Sequence, residues 1–269
     1  TESAGIATSD GERILIFKDM GLVSQVFTEG DLATLKGNLA IGHCRYSTTG
    51  SSTWVNAQPT LRPTKYGTLA LAHNGNLTNT GDLAELVQKL ESSATSMSGI
   101  TTDTEIMTAL IALQDEKNVE ASALAVLPQL EGAFSLVFMD EHTLYAARDR
   151  HGVRPLVIGK LETGWVVASE SAALDIVGAA FVREVEPGEF IAIDVNGVRS
   201  QRWATAEPKG CLFEYVYLAR PDTTIAGSGI HKTRVAIGAQ LAREAPAEAD
   251  LVIPVPESGT PAAIGYAKE

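Results

Sequence analysis

Three short polar strings combine residue types that can bind or polarise a small charged substrate. The first is Gly42-His43-Cys44-Arg45-Tyr46-Ser47-Thr48-Thr49-Gly50, with Asn56-Ala57-Gln58-Pro59 close behind it. An arginine leaving a strand beside a Ser/Thr/Gly loop is placed to hold a carboxylate through its two-pronged guanidinium. A surface arginine beside a polar loop explains the string equally well. The second is Ala72-His73-Asn74-Gly75-Asn76-Leu77-Thr78-Asn79, where an apolar strand ends in Asn-Gly-Asn ahead of a helix. A loop of this kind can aim the Asn74 amide and the Gly75 N–H at one point, as an oxyanion hole requires. A plain Asn-Gly turn is the alternative. The third is Thr101-Thr102-Asp103-Thr104-Glu105. Asp103, in a first helical turn, either complements the helix dipole or receives an ammonium group, and capping is the commoner use.

The two cysteines, Cys44 and Cys211, are the other candidates for chemistry. His43 and Cys44 are neighbours on a predicted strand, so their side chains point to opposite faces and cannot form a thiolate–imidazole pair. Cys44 is expected to be a small buried apolar residue, and burial is the expected role of Cys211 too. Two distant cysteines give neither a disulfide framework nor a CxxC metal spacing, which suits a reducing compartment. His142, His151 and His231 lack metal-ligand spacing. The charged string Arg148-Asp149-Arg150-His151-Gly152-Val153-Arg154 invites a phosphate-site reading, but a hairpin corner is the more economical one.

These strings need elements to position them. Ile14–Phe17, Val23–Phe27, Leu39–Tyr46 and Thr68–Ala72 read as short strands separated by Gly, Asp, Asn and Pro. Helices follow. Leu83, Leu86, Val87 and Leu90 recur at helical spacing behind Asn79 and Thr80, and Thr102 with Glu105 forms a capping box ahead of Ile106, Ala109, Leu110 and Leu113. A third helix is expected over Val119–Leu130. Strands return at Ala133–Met139, Thr143–Ala147, Pro155–Gly159, Trp165–Ser169 and Phe190–Asp194, with Asn196-Gly197 as a hairpin turn. Strands, then helices, then strands argue for an α+β layered domain with antiparallel sheets. From about residue 211 the pattern changes. Lys232–Ala245 reads as a helix and Asp250–Pro254 as a short buried strand, the opening of an α/β domain. Both termini look cut, because no start signal precedes Thr1 and no stop signal follows the last helical pattern.

A net charge of -12 opposes nonspecific binding to nucleic acid or anionic membrane. No apolar run nears the roughly 18–20 residues that span a bilayer, so a cytoplasmic protein with no nucleic-acid or membrane partner is expected.

Taken in order, the strings resemble the glutamine-dependent amidophosphoribosyltransferases. The match runs through Glu-Ser-Ala-Gly-Ile-Ala at 2–7, the Arg-Tyr-Ser-Thr segment at 45–48 and Ala-His-Asn-Gly-Asn-Leu-Thr-Asn at 72–79. It continues with Arg-Asp-Arg-His-Gly-Val-Arg-Pro-Leu at 148–156, Ala-Ser-Glu-Ser-Ala-Ala-Leu-Asp at 168–175 and Cys-Leu-Phe-Glu-Tyr-Val-Tyr-Leu-Ala-Arg-Pro-Asp at 211–222. The resemblance implies a four-layer αββα N-terminal-nucleophile (class II glutaminase) sandwich over residues 1–210, and the start of a phosphoribosyltransferase domain over 211–269. It implies the first committed step of purine biosynthesis, in which ammonia from glutamine is transferred to phosphoribosyl pyrophosphate. In this scheme Arg45 holds the glutamine α-carboxylate, Asp103 its α-ammonium, and Asn74 and Gly75 form the oxyanion hole. The nucleophile would be an N-terminal cysteine that this chain does not contain, so the 269 residues alone are expected to be inactive. Mg²⁺ is implied for the complete protein, as is an iron–sulfur cluster with Cys211 as one ligand, and a homo-oligomer is expected. The other readings left open are a sister class II amidotransferase and a stand-alone glutamine-binding module.

Overall fold

A computed structural model describes residues 2–46, 53–91 and 102–269. The Ser47–Gly50 part of the first string and Thr101 of the third lie outside the described residues. The chain divides into two compact units, residues 1–154 with 186–208, and residues 155–185 with 209–269. The second unit thus takes in a span that a single boundary at 210/211 assigns to the first domain.

In the first unit a hairpin, β1 (Ser3–Ser9) and β2 (Ile14–Met20), joins β3 (Leu39–Arg45) in a three-stranded sheet of order β2-β1-β3. A six-stranded sheet is built from β4 (Thr60–Thr64), β5 (Gly67–Leu77), β6 (Gly132–Met139) and β7 (Leu144–Arg148), with β11 (Glu189–Asp194) and β12 (Gly197–Arg202). Its order is β12-β11-β7-β6-β5-β4, and each neighbouring pair is antiparallel. The strand alternation decides what covers each face. Leu69, Leu71, Phe134, Leu136, Phe138 and Tyr145 pack in one cluster with residues of α3 (Thr80–Leu90), α4 (Asp103–Leu113) and α5 (Val119–Val126). The residues between them, Ala70, Val137, Met139 and Leu144, pack against Ala7 and Ile41 of the small sheet. Helices therefore cover one face of the large sheet and the small sheet covers the other, the layered α+β arrangement that the pattern predicts.

Three local expectations change, and one unanticipated short helix appears. Val23–Phe27, β-rich in composition, forms the short helix α1 (Val23–Val26), where the Gln25 side chain accepts from the Leu22 N–H and closes the turn locally. A second short helix, α2 (Glu29–Thr34), is capped by Thr28, whose side chain accepts from the Asp31 N–H. The strand expected to stop near Ala72 continues to Leu77, because β6 pairs with it as far as Leu77↔Gly132. The hairpin turn falls on Val195-Asn196, with Gly197 paired to Asp194 as the first residue of β12.

The second unit contains the sheet β10-β8-β9, from β8 (Val157–Lys160), β9 (Trp165–Ala168) and β10 (Ala180–Glu184), with α6 (Ser171–Val177). Leu174 of α6 packs against Val157 in its core. Farther on, Arg234 of α7 (Ile230–Glu244) is buried and donates to the carbonyls of Tyr215 at 2.7 Å and Ala219 at 2.9 Å, pinning the turn Glu214–Leu218. Residues 250–254 are not a buried strand. They form no ladder among the described residues, and Leu251 and Ile253 are 72% and 77% exposed. A strand exists only where its backbone groups find a partner.

Candidate active site

The residues singled out in the first unit come together where β3, β5 and the start of α4 meet. On β3, Ile41, His43 and Arg45 share one face by alternation, and Ile41 marks it as the face toward the large sheet. His43 Nε2 lies 3.1 Å from the His73 carbonyl oxygen on β5. That oxygen can only accept, so Nε2 carries the hydrogen and Nδ1 is bare. Burial pulls His43 down to about 4, against the raising effect of the bond to the His73 carbonyl, with the neighbouring His73 and Arg45 side chains lowering it further. Nδ1 is buried with no hydrogen-bond partner among the described residues. Protonating it would place a charge with nothing to donate to.

The sign of the pH effect follows. The folded state holds His43 below its ordinary value of 6.5, so the unfolded chain binds the proton more readily between pH 6.5 and 4. His43 therefore adds its full contribution to stability above pH 6.5 and loses it as the pH falls to 4, a loss of up to about 3 kcal/mol. Thermal melts from pH 7 to 4 should show a steeper acid decline for wild type than for His43→Gln, which keeps an N–H donor and does not titrate. Parallel declines would contradict this.

Arg45 is 5% exposed, and its Nη1 lies 3.9 Å from the Glu2 carboxylate. A buried guanidinium at the end of a strand is suited to a carboxylate. Asp103 opens α4, behind Thr102, whose hydroxyl accepts from the Glu105 N–H at 3.3 Å. Its carboxylate accepts from the N–H groups of Leu77 at 3.2 Å and Thr104 at 2.9 Å, and Oδ2 lies 3.5 Å from His73 Nδ1. Burial raises the Asp103 carboxyl, but the His73 imidazole and the two N–H groups more than offset it and hold the group below the usual carboxylate range. Asp103 is thus a fixed, ionised carboxylate.

Asn74 and Gly75 lie within β5, not in a loop, paired with Ser135 and Phe134. Gly75 has φ +150°, and a Cβ there would lie 2.0 Å from the Ala133 oxygen and 2.8 Å from His73 Nε2. Only glycine fits, so the strand can turn its backbone here without a side chain between Asn74 and the substrate space. By alternation Asn74 faces the small sheet, as Arg45 faces the large one, whereas His73 faces Asp103 at the helix layer.

The cysteines lie elsewhere. Cys44 is exposed rather than buried, because it takes the face of β3 opposite His43 and Arg45. Cys211 is half-buried in the second unit. Among the described residues no three His, Cys, Asp or Glu side chains gather as a metal site.

Sequence reading missed three participants. His43 could have been found from its shared face with Arg45. His73 precedes Asn74 directly, yet its role depends on α4, 30 residues on. Gln58 accepts from the His73 N–H at 2.7 Å and braces the strand beside Asn74, a contact that no local pattern marks.

A family model described as "Glutamine amidotransferase domain" matches residues 43–176. The amidophosphoribosyltransferase of Mycobacterium tuberculosis (strain ATCC 25618 / H37Rv) is 61% identical over 271 residues, covering 100% of this chain and 51% of the relative. That of Bacillus subtilis (strain 168) is 42% identical, covering 99% of this chain and 56% of the relative. The solved B. subtilis glutamine phosphoribosylpyrophosphate amidotransferase, complexed with ADP and GMP, superposes with a TM-score of 0.91 at 40% identity, over 99% of this chain and 57% of that one. The chain spans about half the length of the curated relatives it matches. The fold is that of the class II glutaminase domain in those structures, and over its whole length the chain is similar to amidophosphoribosyltransferases.

Proposed function

We propose that the protein containing this chain is an amidophosphoribosyltransferase, and that the first unit carries its glutamine-recognition site. The observation that carries this is the placement of Arg45, Asn74, Gly75 and Asp103 where β3, β5 and the start of α4 meet, with Arg45 buried and the other three half-buried. Glutamine offers one carboxylate, one ammonium and one amide. Arg45 takes the carboxylate, Asp103 the ammonium, and Asn74 with Gly75 the amide oxygen. This complementarity is specific to an α-amino acid with a side-chain amide.

In the proposed reaction a thiolate adds to the amide carbon of glutamine, and the oxygen gathers negative charge between the Asn74 amide and the Gly75 N–H. Collapse of the adduct expels ammonia, and water then releases glutamate. Ammonia displaces pyrophosphate from phosphoribosyl pyrophosphate to give phosphoribosylamine, the first committed step of purine biosynthesis. Cys44 takes the face of β3 opposite Arg45, and the resemblance assigns the thiolate to an N-terminal cysteine that these residues do not include. Mg²⁺ held with the pyrophosphate substrate, a cluster with Cys211 as one ligand, assembly as a homo-oligomer and a cytoplasmic setting complete the proposal. In support of the last, no helix among the described residues is long and apolar enough to cross a membrane.

The test is to supply the complete protein with phosphoribosyl pyrophosphate and either glutamine or ammonium salt. Phosphoribosylamine should form from both, with glutamate released in equal amount when glutamine is the donor. Turnover of ammonium but not of glutamine would remove the glutaminase reading.

A further inference from the structure

The Arg148–Arg154 string is more than a hairpin corner. Asn74 on β5, Ser135 on β6 and Arg148 on β7 lie side by side across three strands, Asn74 paired with Ser135 and Ser135 with Arg148. Alternation puts all three on the face of the large sheet turned away from the helices. The segment after β7 folds back onto this line. Asp149, 1% exposed, accepts from the N–H groups of Phe134 at 3.1 Å, His151 at 2.8 Å and Val153 at 3.3 Å. Gly152 sits at φ +58°, where a Cβ would lie 2.7 Å from Pro187 and 3.2 Å from the Arg148 guanidinium carbon. Arg148 Nη2 donates to the Gly152 carbonyl and Arg148 Nε to the Arg154 carbonyl, each at 2.9 Å. Ser135 Oγ donates to the same Arg154 oxygen at 3.2 Å. The backbone of Arg154 is thereby pinned beside Ser135, and its side chain reaches Asn74, with Nε donating to Oδ1 at 3.2 Å.

That contact has a chemical consequence. An asparagine amide has one accepting and one donating end, exchanged by a half-turn of the side chain, whereas a guanidinium only donates. With Arg154 Nε against it, the near atom of the amide must be Oδ1, and the Nδ2 hydrogens are committed to the other side. An oxyanion donor works only when preorganised in its donating orientation. We propose that Arg154 is a positioning residue for amide transfer: it selects the orientation of Asn74 that offers Nδ2, and not Oδ1, to the developing oxyanion. The proposal rests on Asn74 being that donor. It also explains the string, since Arg148, Asp149 and Gly152 form the turn that delivers Arg154.

The test uses the complete protein and the variants Arg154→Met, Arg154→Lys, Asn74→Ala and Arg154→Met/Asn74→Ala, with glutamine-supported rates normalised to the ammonia-supported rate of the same preparation. Losing one oxyanion donor costs about 100- to 1,000-fold in kcat. Losing only its orientation should cost about 10- to 100-fold for Arg154→Met, with the glutamine KM within about threefold of wild type. The double variant should be no slower than Asn74→Ala, because the arginine acts only through that amide. Should Arg154→Met fail to fold, Arg154→Lys decides. Lysine has a methylene where arginine has Nε, so kcat should still fall at least about fivefold. Wild-type kcat in whichever of these two variants folds, or losses that multiply in the double variant, would overturn the proposal. A normal kcat in Asn74→Ala would sink the oxyanion reading itself, and this proposal with it.

Discussion

Replacing Gly75 by alanine is expected to reduce the glutamine-supported kcat of the complete protein by at least about 100-fold. Two effects act together. The added Cβ would stand 2.0 Å from the Ala133 carbonyl oxygen, a backbone atom of β6 that cannot move without breaking the ladder through which Phe134 pairs with Gly75. It would also stand 2.8 Å from His73 Nε2, and so push on the ring whose Nδ1 faces Asp103. The φ of +150° adds strain for any L side chain. A lower melting temperature should accompany the loss of rate. Alanine at 75 with wild-type kcat and stability would mean that the strand relaxes freely there, and that the close packing is not a functional requirement.

Changing Asp103 to asparagine is expected to act on binding instead. Asparagine keeps an oxygen that can accept from Leu77 or Thr104, so the start of α4 should survive, but the negative charge is lost. A buried, charge-assisted contact is worth roughly 2–5 kcal/mol when one partner is removed. The glutamine KM should therefore rise about 30-fold or more, with kcat less affected. Burial alone would raise the Asp103 carboxyl, but His73 and two backbone N–H groups outweigh it and hold the group below the usual carboxylate range. The charge is accordingly present throughout the neutral range. An unchanged KM would assign Asp103 to helix capping alone.

The sequence was most informative where the proposed function rests on local chemistry. Arg45 at a strand end, Asp103 in a first helical turn and the Asn74-Gly75 pair are all recognisable from residue type and short-range position. The helices α3, α4 and α5 follow from spacing and caps, because a helix satisfies its backbone within itself. Strand limits were less legible. Local sequence at Asn74-Gly75 spells a turn, but β6, some 60 residues on, supplies the partner that keeps it in the sheet. The reverse holds at Asp250–Pro254, a strand-like string with no partner among the described residues. Val23–Val26 shows a side-chain-to-backbone bond overriding β-rich composition. Cys44 was misjudged by residue type, although the same alternation that separates it from His43 also turns it outward. Arg154 and Gln58 were invisible as participants because each acts through a contact made across the fold, to Asn74 and to His73.

The ratio of glutamine-supported to ammonia-supported phosphoribosylamine formation, measured at subsaturating glutamine in the complete wild-type protein and in Asp103→Asn, tests the central claim most directly. Ammonia added to solution bypasses the site, so each protein serves as its own control. A ratio that is high in wild type and falls about 30-fold or more in the variant is the predicted result. A ratio near zero in wild type, or one that the variant leaves unchanged, would contradict the claim that this arrangement recognises glutamine.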